Sequence, residues 1–382
     1  MELENVNRVA VVGAGDMGHG IAEACALSGY EVVLVDVAEA ALQTAERRIE
    51  DSLRVLARKR KLKRDAVPEV LARVSTTTRL GDASSAQLLI EAVPEVMDLK
   101  RDVLADAEKL LPGDAPLATN TSNMRITDLA AKLRDPGRLA GLHFFNPAVL
   151  MRTVEVVPGE GTSGDVLDLL SKFVESLGKL PIRVLWDSPG FVVNRVLVAA
   201  QVLATRAVER GLIEPENLDA VARKMGIPMG PFETMDYVGL DVVVHGMNYF
   251  GETLGQDYAP PAWLVELVDA GKLGKKTGGG IFQWPGGKRP TIDLEKATEA
   301  VKMGDLMCVQ INEATKLLEE RVVDGPETVD LAIKNGTANA MGLFGLLKGM
   351  GPANVAATCE KFAEQLGVGA FAPTAALLGW NG

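Results

Sequence analysis

A glycine-rich segment near the amino terminus constrains the fold of this chain more than any other feature. Gly13, Gly15 and Gly18 form a GxGxxG pattern that follows an apolar run and opens a helical stretch. In this pattern the first glycine makes a tight turn, the second lets the backbone approach a pyrophosphate, and the third permits close helix–strand packing. The next apolar run ends in Asp36, which suits hydrogen bonding to ribose hydroxyls and would repel a 2′-phosphate. The segment predicts a dinucleotide site that favours NAD, and a glycine turn with a surface aspartate is the alternative.

Composition and charge exclude several classes of protein. Of the 382 residues, 47% are apolar and 24% charged, which is typical of a globular protein with a sizeable core. The formal net charge of -11 argues against a general nucleic-acid or membrane-surface binder. Three cysteines far apart in sequence and three histidines favour neither a disulfide framework nor a metal site. Without a recognisable signal peptide or membrane span, the chain is predicted to be cytoplasmic and to bind no metal.

The first half of the chain alternates short β-branched runs with helical stretches, which predicts βαβ units and a largely parallel sheet. Strands are predicted at residues 9–12, 32–35, 88–92, 117–119, 139–144 and 154–157. After residues 186–190 the sequence is mostly helical, with Gly and Pro between the helices. We expect an α/β Rossmann-type N-terminal domain followed by all-α C-terminal domains.

The helical half contains a degenerate internal repeat. Five residues recur at one constant offset: Glu209, Arg210, Pro215, Glu216 and Asp219 match Glu320, Arg321, Pro326, Glu327 and Asp330. Chance similarity between two helical segments is the alternative, and we favour a duplication. The predicted units are an NAD-binding Rossmann domain at 1–187, a helical domain at 188–290 and a second, degenerate helical repeat at 291–382.

A histidine and a glutamate lie on two predicted strands near the expected ligand-binding edge. His143 is near the carboxyl end of its strand, where parallel sheets bind ligands. Glu155 lies inside the next apolar strand, where a half-buried carboxylate needs a partner. If the two strands are adjacent, Glu155 would orient His143 and stabilise its protonated form, leaving the other ring nitrogen to take a proton. An ordinary core histidine beside a strand-edge glutamate is the alternative.

Two other polar groups are candidates for the same site. Ser122 belongs to the segment 120–123 that follows the predicted strand at 117–119, where its hydroxyl serves either the site or the cap of the next helix. Asn194 and Arg195 lie inside an apolar helical segment, where they serve either the site or a polar contact between domains.

Several motifs occur in one order along the chain. They are GxGxxG with Asp36, Glu-Ala-Val-Pro-Glu at 91–95, Asn-Thr-Ser at 120–122, Gly-Leu-His-Phe-Phe-Asn-Pro at 141–147, Gly-Phe-Val-Val-Asn-Arg at 190–195 and Gly-Lys-Lys-Thr-Gly at 274–278. Together they resemble the L-3-hydroxyacyl-CoA dehydrogenase family, from about residue 6 to residue 285. The remainder is similar to the second C-terminal repeat of some longer members.

The resemblance implies reversible NAD-dependent oxidation of an (S)-3-hydroxyacyl-CoA, such as 3-hydroxybutyryl-CoA, to the 3-oxoacyl-CoA. His143 would then be the general base and Glu155 its orienting partner, while Ser122 and Asn194 would position the substrate. The residues implied for NAD binding are Gly13, Gly15, Asp16, Met17, Gly18, Asp36, Glu95, Lys100, Asn146 and Lys276.

The resemblance also places coenzyme A against the long helical insert, with Ser52 and Lys59 on its contacts. The residues themselves agree, because the basic cluster at 58–64 suits the phosphate charges of coenzyme A. A solvated basic helix end is the alternative for most of the cluster.

Two other functions stay open. A dehydrogenase of a 3-hydroxy acid without coenzyme A, of the carnitine or gulonate type, is opposed by the basic cluster. A catalytically silent NAD-binding relative is opposed by the presence of His143, Glu155, Ser122 and Asn194. The expected partner is an acyl-CoA substrate, with no nucleic acid and no membrane. The chain is expected to be a monomer, with the second helical copy in the place of a partner subunit, or a homodimer through the helical domains.

Overall fold

The computed structural model describes residues 2–337 and 341–381 of the chain. These residues form two compact units. The first contains residues 2–191, 322–324 and 331–337, and the second contains residues 192–321, 325–330 and 341–381. The first unit is built on a sheet with helices and the second is helical, which confirms the predicted fold class. The domain boundaries proposed at residues 187 and 290 stay predictions.

The first unit contains an eight-stranded sheet in the order β3-β2-β1-β4-β5-β6-β7-β8. Its strands are β1 (Arg8–Val12), β2 (Glu31–Val35), β3 (Val74–Thr77), β4 (Leu88–Glu91), β5 (Leu117–Thr119), β6 (Leu139–Phe144), β7 (Thr153–Pro158) and β8 (Leu180–Arg183). Strands β1 to β6 are parallel, β7 pairs antiparallel with β6, and β8 pairs parallel with β7. All six predicted strands are present, and each agrees with its predicted ends to within one residue.

The two strands that sequence patterns missed lie at the two edges of the sheet. β3 reads Val-Ser-Thr-Thr, and β8 contains Pro181. Each pairs with one neighbour only. Because an edge strand tolerates proline and buries fewer side chains than a central strand, its apolar signal is weak.

Six helices belong to the first unit: α1 (Asp16–Leu27), α2 (Glu39–Arg58), α3 (Val67–Ala72), α4 (Met97–Leu110), α5 (Ile126–Leu129) and α6 (Gly164–Ser176). The long insert predicted after the second strand is α2. It packs on the core through Leu42, Ala45, Ile49 and Leu53, whose spacing of three or four residues puts them on one face. Each buried Leu or Ile there contributes roughly 1.5–3 kcal/mol, so this face holds α2 in place.

Ten helices follow in the described part of the chain: α7 (Val193–Glu209), α8 (Pro215–Lys224), α9 (Pro231–Val238), α10 (Leu240–Thr253), α11 (Ala262–Asp269), α12 (Met303–Glu319), α13 (Pro326–Gly336), α14 (Leu343–Met350), α15 (Pro352–Leu366) and α16 (Ala375–Leu378). Among the described residues, no helix combines the length and the apolar character that a membrane crossing requires.

One structural device recurs in the two parts of the helical unit. Asp219 accepts hydrogen bonds from the N–H groups of Phe232 and Glu233 at 3.0 and 2.8 Å, at the start of α9. Asp330 accepts the equivalent bonds from Phe344 and Gly345 at 2.8 and 3.3 Å, at the start of α14. An aspartate that caps a later helix is therefore common to both segments that the sequence repeat relates.

Candidate active site

The predicted site residues of the first unit gather at one edge of its sheet. Because β1, β2, β4, β5 and β6 are parallel, their carboxyl ends lie at the same edge, and the antiparallel β7 begins there. The loops after these strands carry Gly13, Asp36, Glu95, Ser122 and Asn146. Strand order changes direction between β1 and β4, the position at which open α/β sheets bind ligands.

The glycine loop is shaped by close backbone contacts. Gly13 has a φ of +104°, and a Cβ there would lie 2.5 Å from the carbonyl oxygen of Ala92. A Cβ on Gly18 would lie 1.7 Å from the carbonyl oxygen of Gly13. A Cβ on Gly15 would meet no described atom within 4 Å. Side chains are thus excluded at Gly13 and Gly18 by the fold itself, whereas the backbone at Gly15 is open to a ligand at the start of α1.

Asp36 ties this loop to the end of β2. Its carboxylate accepts hydrogen bonds from the N–H groups of Ala14 at 2.8 Å and Ala38 at 2.9 Å. The carboxylate therefore stands beside the glycine loop, and its oxygens have lone pairs to spare for ribose hydroxyls. The open backbone at Gly15, the N-terminus of α1 and this acid together fit NAD. Asp16 and Met17 begin α1, and Asp16 forms an exposed ion pair with Arg48.

His143 and Glu155 form a buried pair. They are direct partners in the register of β6 and β7, and Nδ1 of His143 lies 2.6 Å from Oε2 of Glu155. Their side chains are 5% and 0% exposed. The rings of Phe145 and Phe191 lie 4.5 and 5.8 Å from the imidazole ring and shield it from water. Because Nδ1 is engaged, Nε2 is the nitrogen that can exchange a proton with a bound molecule.

Glu91, Glu95 and Lys100 form a second charged cluster, in which Glu91 and Lys100 are buried and Glu95 is partly exposed. The Lys100 ammonium, with a side chain only 1% exposed, lies 2.9 Å from Glu91 and 3.1 Å from Glu95. The second carboxylate oxygen of Glu95 accepts hydrogen bonds from the hydroxyl of Thr121 at 2.5 Å and the N–H of Ser122 at 2.9 Å. Lys100 and Glu95 thus hold the loop that carries Ser122. Direct contacts of Lys100 and Glu95 with NAD stay predictions.

A cleft of about 520 Å³ opens between α1, α2 and the loop after β6. Its lining includes four residues predicted to bind NAD or coenzyme A: Asp16, Ser52, Lys59 and Asn146. Arg48 and Lys61 add positive charge to the same cleft. The structure therefore brings the predicted coenzyme A residues together with the sheet edge, although Ser52 and Lys59 are far from Asn146 in sequence.

The two remaining predicted site residues lie in the helical unit. Asn194 is on the first turn of α7, directly before Arg195, which is 3% exposed. Arg195 pairs with Glu313 on α12 at 2.5 Å and with Glu320 at 2.8 Å. Lys276 forms an ion pair with Asp241 at 2.6 Å.

Two polar residues of this region were not among the predicted site residues. Asn120 is buried and accepts a hydrogen bond from the N–H of Phe144 at 2.9 Å, which fixes the backbone beside His143. Glu23 is 1% exposed and lines the cleft. Its signal was visible in the sequence, since Glu23 is the only charged residue in an otherwise apolar run from Ile21 to Ala26.

Two family models match the chain. The 3-hydroxyacyl-CoA dehydrogenase NAD binding domain matches residues 8–188, and the 3-hydroxyacyl-CoA dehydrogenase C-terminal domain matches residues 190–284. A mitochondrial hydroxyacyl-coenzyme A dehydrogenase of Sus scrofa is 39% identical over 288 residues, which are 73% of this chain and 91% of that protein. A 3-hydroxyadipyl-CoA dehydrogenase of Escherichia coli is 38% identical over 301 residues, 78% of this chain but only 63% of that protein.

A solved structure resembles the chain over nearly its whole length. The 3-hydroxybutyryl-CoA dehydrogenase of Escherichia coli K12 superposes with a TM-score of 0.86 at 27% identity and covers 98% of both chains. The likeness therefore extends beyond residue 284, where the family models end, into the second set of helices.

Proposed function

Because this chain belongs to the 3-hydroxyacyl-CoA dehydrogenase family, we propose that it oxidises (S)-3-hydroxyacyl-CoA to 3-oxoacyl-CoA reversibly with NAD. The observation that carries the proposal is the buried hydrogen bond of His143 to Glu155 at the edge of the sheet that also carries the glycine loop. A proton acceptor beside a dinucleotide site is the minimum that alcohol oxidation by NAD requires.

The proposed mechanism assigns the proton to His143. In the forward direction Nε2 of His143 removes the proton of the 3-hydroxyl as the carbonyl forms at C3. NAD supplies the acceptor for the hydride that leaves the same carbon. Glu155 accepts the Nδ1–H hydrogen bond at 2.6 Å, so its negative charge stabilises the imidazolium and orients the ring. In the reverse direction the same imidazolium returns the proton.

The other site residues bind and orient. We assign Ser122 and Asn194 to the hydroxyl and the thioester end of the substrate. Glu95 accepts a hydrogen bond from the N–H of Ser122, which fixes the backbone that carries this hydroxyl. Ser52 and Lys59 line the cleft and would hold coenzyme A, whose phosphates favour nearby cations. Gly13, Gly15, Gly18 and Asp36 would bind the pyrophosphate and the ribose of NAD, as set out above.

The location and the oligomeric state belong to the same proposal. We infer a cytoplasmic protein, because Cys25, Cys308 and Cys359 are all unpaired and buried, as a reducing compartment allows. We infer a monomer, because Arg195 on α7 and Glu313 on α12 already join the two sets of helices through a buried contact.

Reduction of NAD with a series of substrates tests the proposed function directly. A ladder of (S)-3-hydroxyacyl-CoA esters, including 3-hydroxybutyryl-CoA, is expected to give NADH absorbance at 340 nm. Free 3-hydroxybutyrate and carnitine should give none at the same concentrations, because they lack the group that the cationic cleft binds. Turnover of the free acids alone would instead support the non-CoA alternative, and no turnover of any substrate would support a silent relative.

Lys59 offers a test of the coenzyme A cleft that leaves the chemistry intact. Replacing Lys59 by alanine is expected to raise the KM for acyl-CoA about 3- to 10-fold with little change in kcat, since one partly screened phosphate contact is lost. Lys63→Ala is the matched control, because Lys63 belongs to the same basic cluster but does not line the cleft. Steady-state kinetics at low salt measure the difference. An equal rise in KM in both variants would mean that the basic cluster attracts acyl-CoA through its overall charge and that Lys59 makes no specific contact.

A further inference from the structure

Glu23 is a buried acid that the proposed mechanism does not use. It lies on α1, is 1% exposed, and lines the cleft that also contains Ser52 and Lys59. The Ser52 side chain lies near its carboxyl group and lowers the pKa of Glu23. The carboxyl oxygen Oε1 of Glu23 has no hydrogen-bond partner among the residues that the structure describes. An ionised carboxylate in this position is unfavourable, because burial removes water that no protein donor replaces on Oε1.

The charges around Glu23 can be assigned to individual elements. On α2 and the turn that follows it the cleft is lined by Arg48, Lys59 and Lys61, and on α1 itself by Asp16 and His19. The loop at 146–150 carries no charged side chain. Lys179 donates hydrogen bonds to the carbonyl oxygens of Ala148, inside this loop, and Met151, directly after it. The elements that pack on α1 also carry charged residues that do not line the cleft: Arg8 on β1, Glu31 on β2, Glu69 on α3 and Arg73 directly after α3.

Burial is the dominant influence on the protonation of Glu23. It raises the pKa of Glu23 to about 7, and the Ser52 side chain lowers the pKa in part. Below that pH the group is a neutral carboxyl. Above it the group is a carboxylate that takes the Ser52 hydroxyl as a donor. The charge in the cleft therefore changes near neutral pH, while the ligand proposed for the cleft is a polyanion.

We propose that Glu23 couples acyl-CoA binding to its own proton: the neutral carboxyl leaves Ser52 available and permits binding, and the carboxylate opposes it. Two effects act in the same direction. The carboxylate engages the Ser52 hydroxyl, which is then not available to the ligand, and it adds negative charge beside the phosphates. The inference rests on the proposed function, because it takes coenzyme A as the occupant of the cleft.

Binding of coenzyme A at two pH values tests this coupling. Titration calorimetry with coenzyme A and the full chain is expected to show a Kd that rises about fivefold more between pH 6 and pH 8.5 in the wild type than in Glu23→Gln. The glutamine has nearly the same shape and stays uncharged at both pH values. Titration of the coenzyme's own phosphate affects both proteins equally and cancels in the comparison.

His19→Gln is the matched control, because it makes a substitution to glutamine at another polar residue of α1 that lines the same cleft. The pH dependence is expected to persist in His19→Gln. An equal pH dependence in the wild type and Glu23→Gln, or its loss in His19→Gln instead, would overturn the role of Glu23. Absence of coenzyme A binding to the wild type at both pH values would overturn the proposed function itself, so the two failures are distinguishable.

Ser52→Ala provides a second test if Glu23→Gln does not fold. The Ser52 side chain lowers the pKa of Glu23, so its removal raises that pKa. The midpoint of the change in coenzyme A affinity should therefore move to higher pH in Ser52→Ala, whatever the overall loss of affinity. An unchanged midpoint would contradict the proposal.

Discussion

Replacing His143 by glutamine is expected to lower kcat by roughly 100- to 10,000-fold, the usual contribution of a positioned general base. Glutamine nearly preserves the volume between Phe145 and Phe191 but cannot take a proton at neutral pH. NAD binding should change little, because Gly13, Gly15 and Asp36, which are proposed to bind the pyrophosphate and the ribose, follow other strands. Initial rates with 3-hydroxybutyryl-CoA and fluorescence titration with NADH measure the two effects separately.

Two further variants delimit this result. Glu155→Gln keeps a hydrogen-bonding group opposite Nδ1 but removes the charge, so turnover should fall while NADH binding persists. His245→Gln applies the same change as His143→Gln to an exposed histidine on α10 and should leave turnover unchanged. Wild-type turnover in His143→Gln would remove His143 from the mechanism.

Replacing Glu313 by glutamine is expected to lower the free energy of unfolding by about 3–5 kcal/mol, the cost of removing one partner of a buried ion pair. The side chains of Glu313 and Arg195 are 2% and 3% exposed, so the Arg195 charge would be left without its buried counter-ion. Tyr258 and Lys316 also donate hydrogen bonds to Glu313, at 2.7 and 2.8 Å. In the variant these two groups would face an uncharged amide in place of the carboxylate. Urea unfolding of the full chain measures the change.

Glu320→Gln is the matched control for this prediction. Glu320 binds the same guanidinium at 2.8 Å but is 42% exposed, so its loss should cost no more than about 1 kcal/mol. Equal losses in the two variants would show that burial does not set the strength of the Glu313 contact.

The pH dependence of this stabilisation has a defined sign. Burial would raise the pKa of Glu313, but the charges of Arg195 and Lys316 outweigh it and hold the pKa below its ordinary value of 4.5. The unfolded chain therefore binds a proton at Glu313 more readily than the folded one. The stabilisation is fully present above about pH 4.5 and is lost as the pH falls through the lower folded value.

The central strands could be read from the sequence because they are buried on both faces and appear as continuous apolar runs. The edge strands β3 and β8 could not, because a strand paired on one side needs no such run. The glycine loop could also be predicted from the sequence. Backbone contacts such as that between Gly18 and Gly13 exclude every side chain, so only one residue type can occupy the position.

The sequence predicted individual residues of the site but not the contacts between them. His143 and Glu155 were visible as candidates, yet their pairing required β6 and β7 to be antiparallel in a particular register. A shift of that register by one residue would place the two side chains on opposite faces of the sheet. The unusual protonation of Glu23 was likewise not readable, because it comes from the packing of α1 against α2.

Local sequence patterns were sufficient to predict the α/β and helical parts of the fold, the dinucleotide loop and the residue types available for catalysis. These follow from local rules of backbone sterics and apolar periodicity, which act within a few residues. Three features depend on the tertiary structure: Nδ1 of His143 is engaged by Glu155, the Lys100 ammonium lies between two glutamates, and Arg195 and Glu313 form a buried ion pair. Those outcomes depend on distance and burial between groups far apart along the chain, and a linear pattern does not encode either quantity.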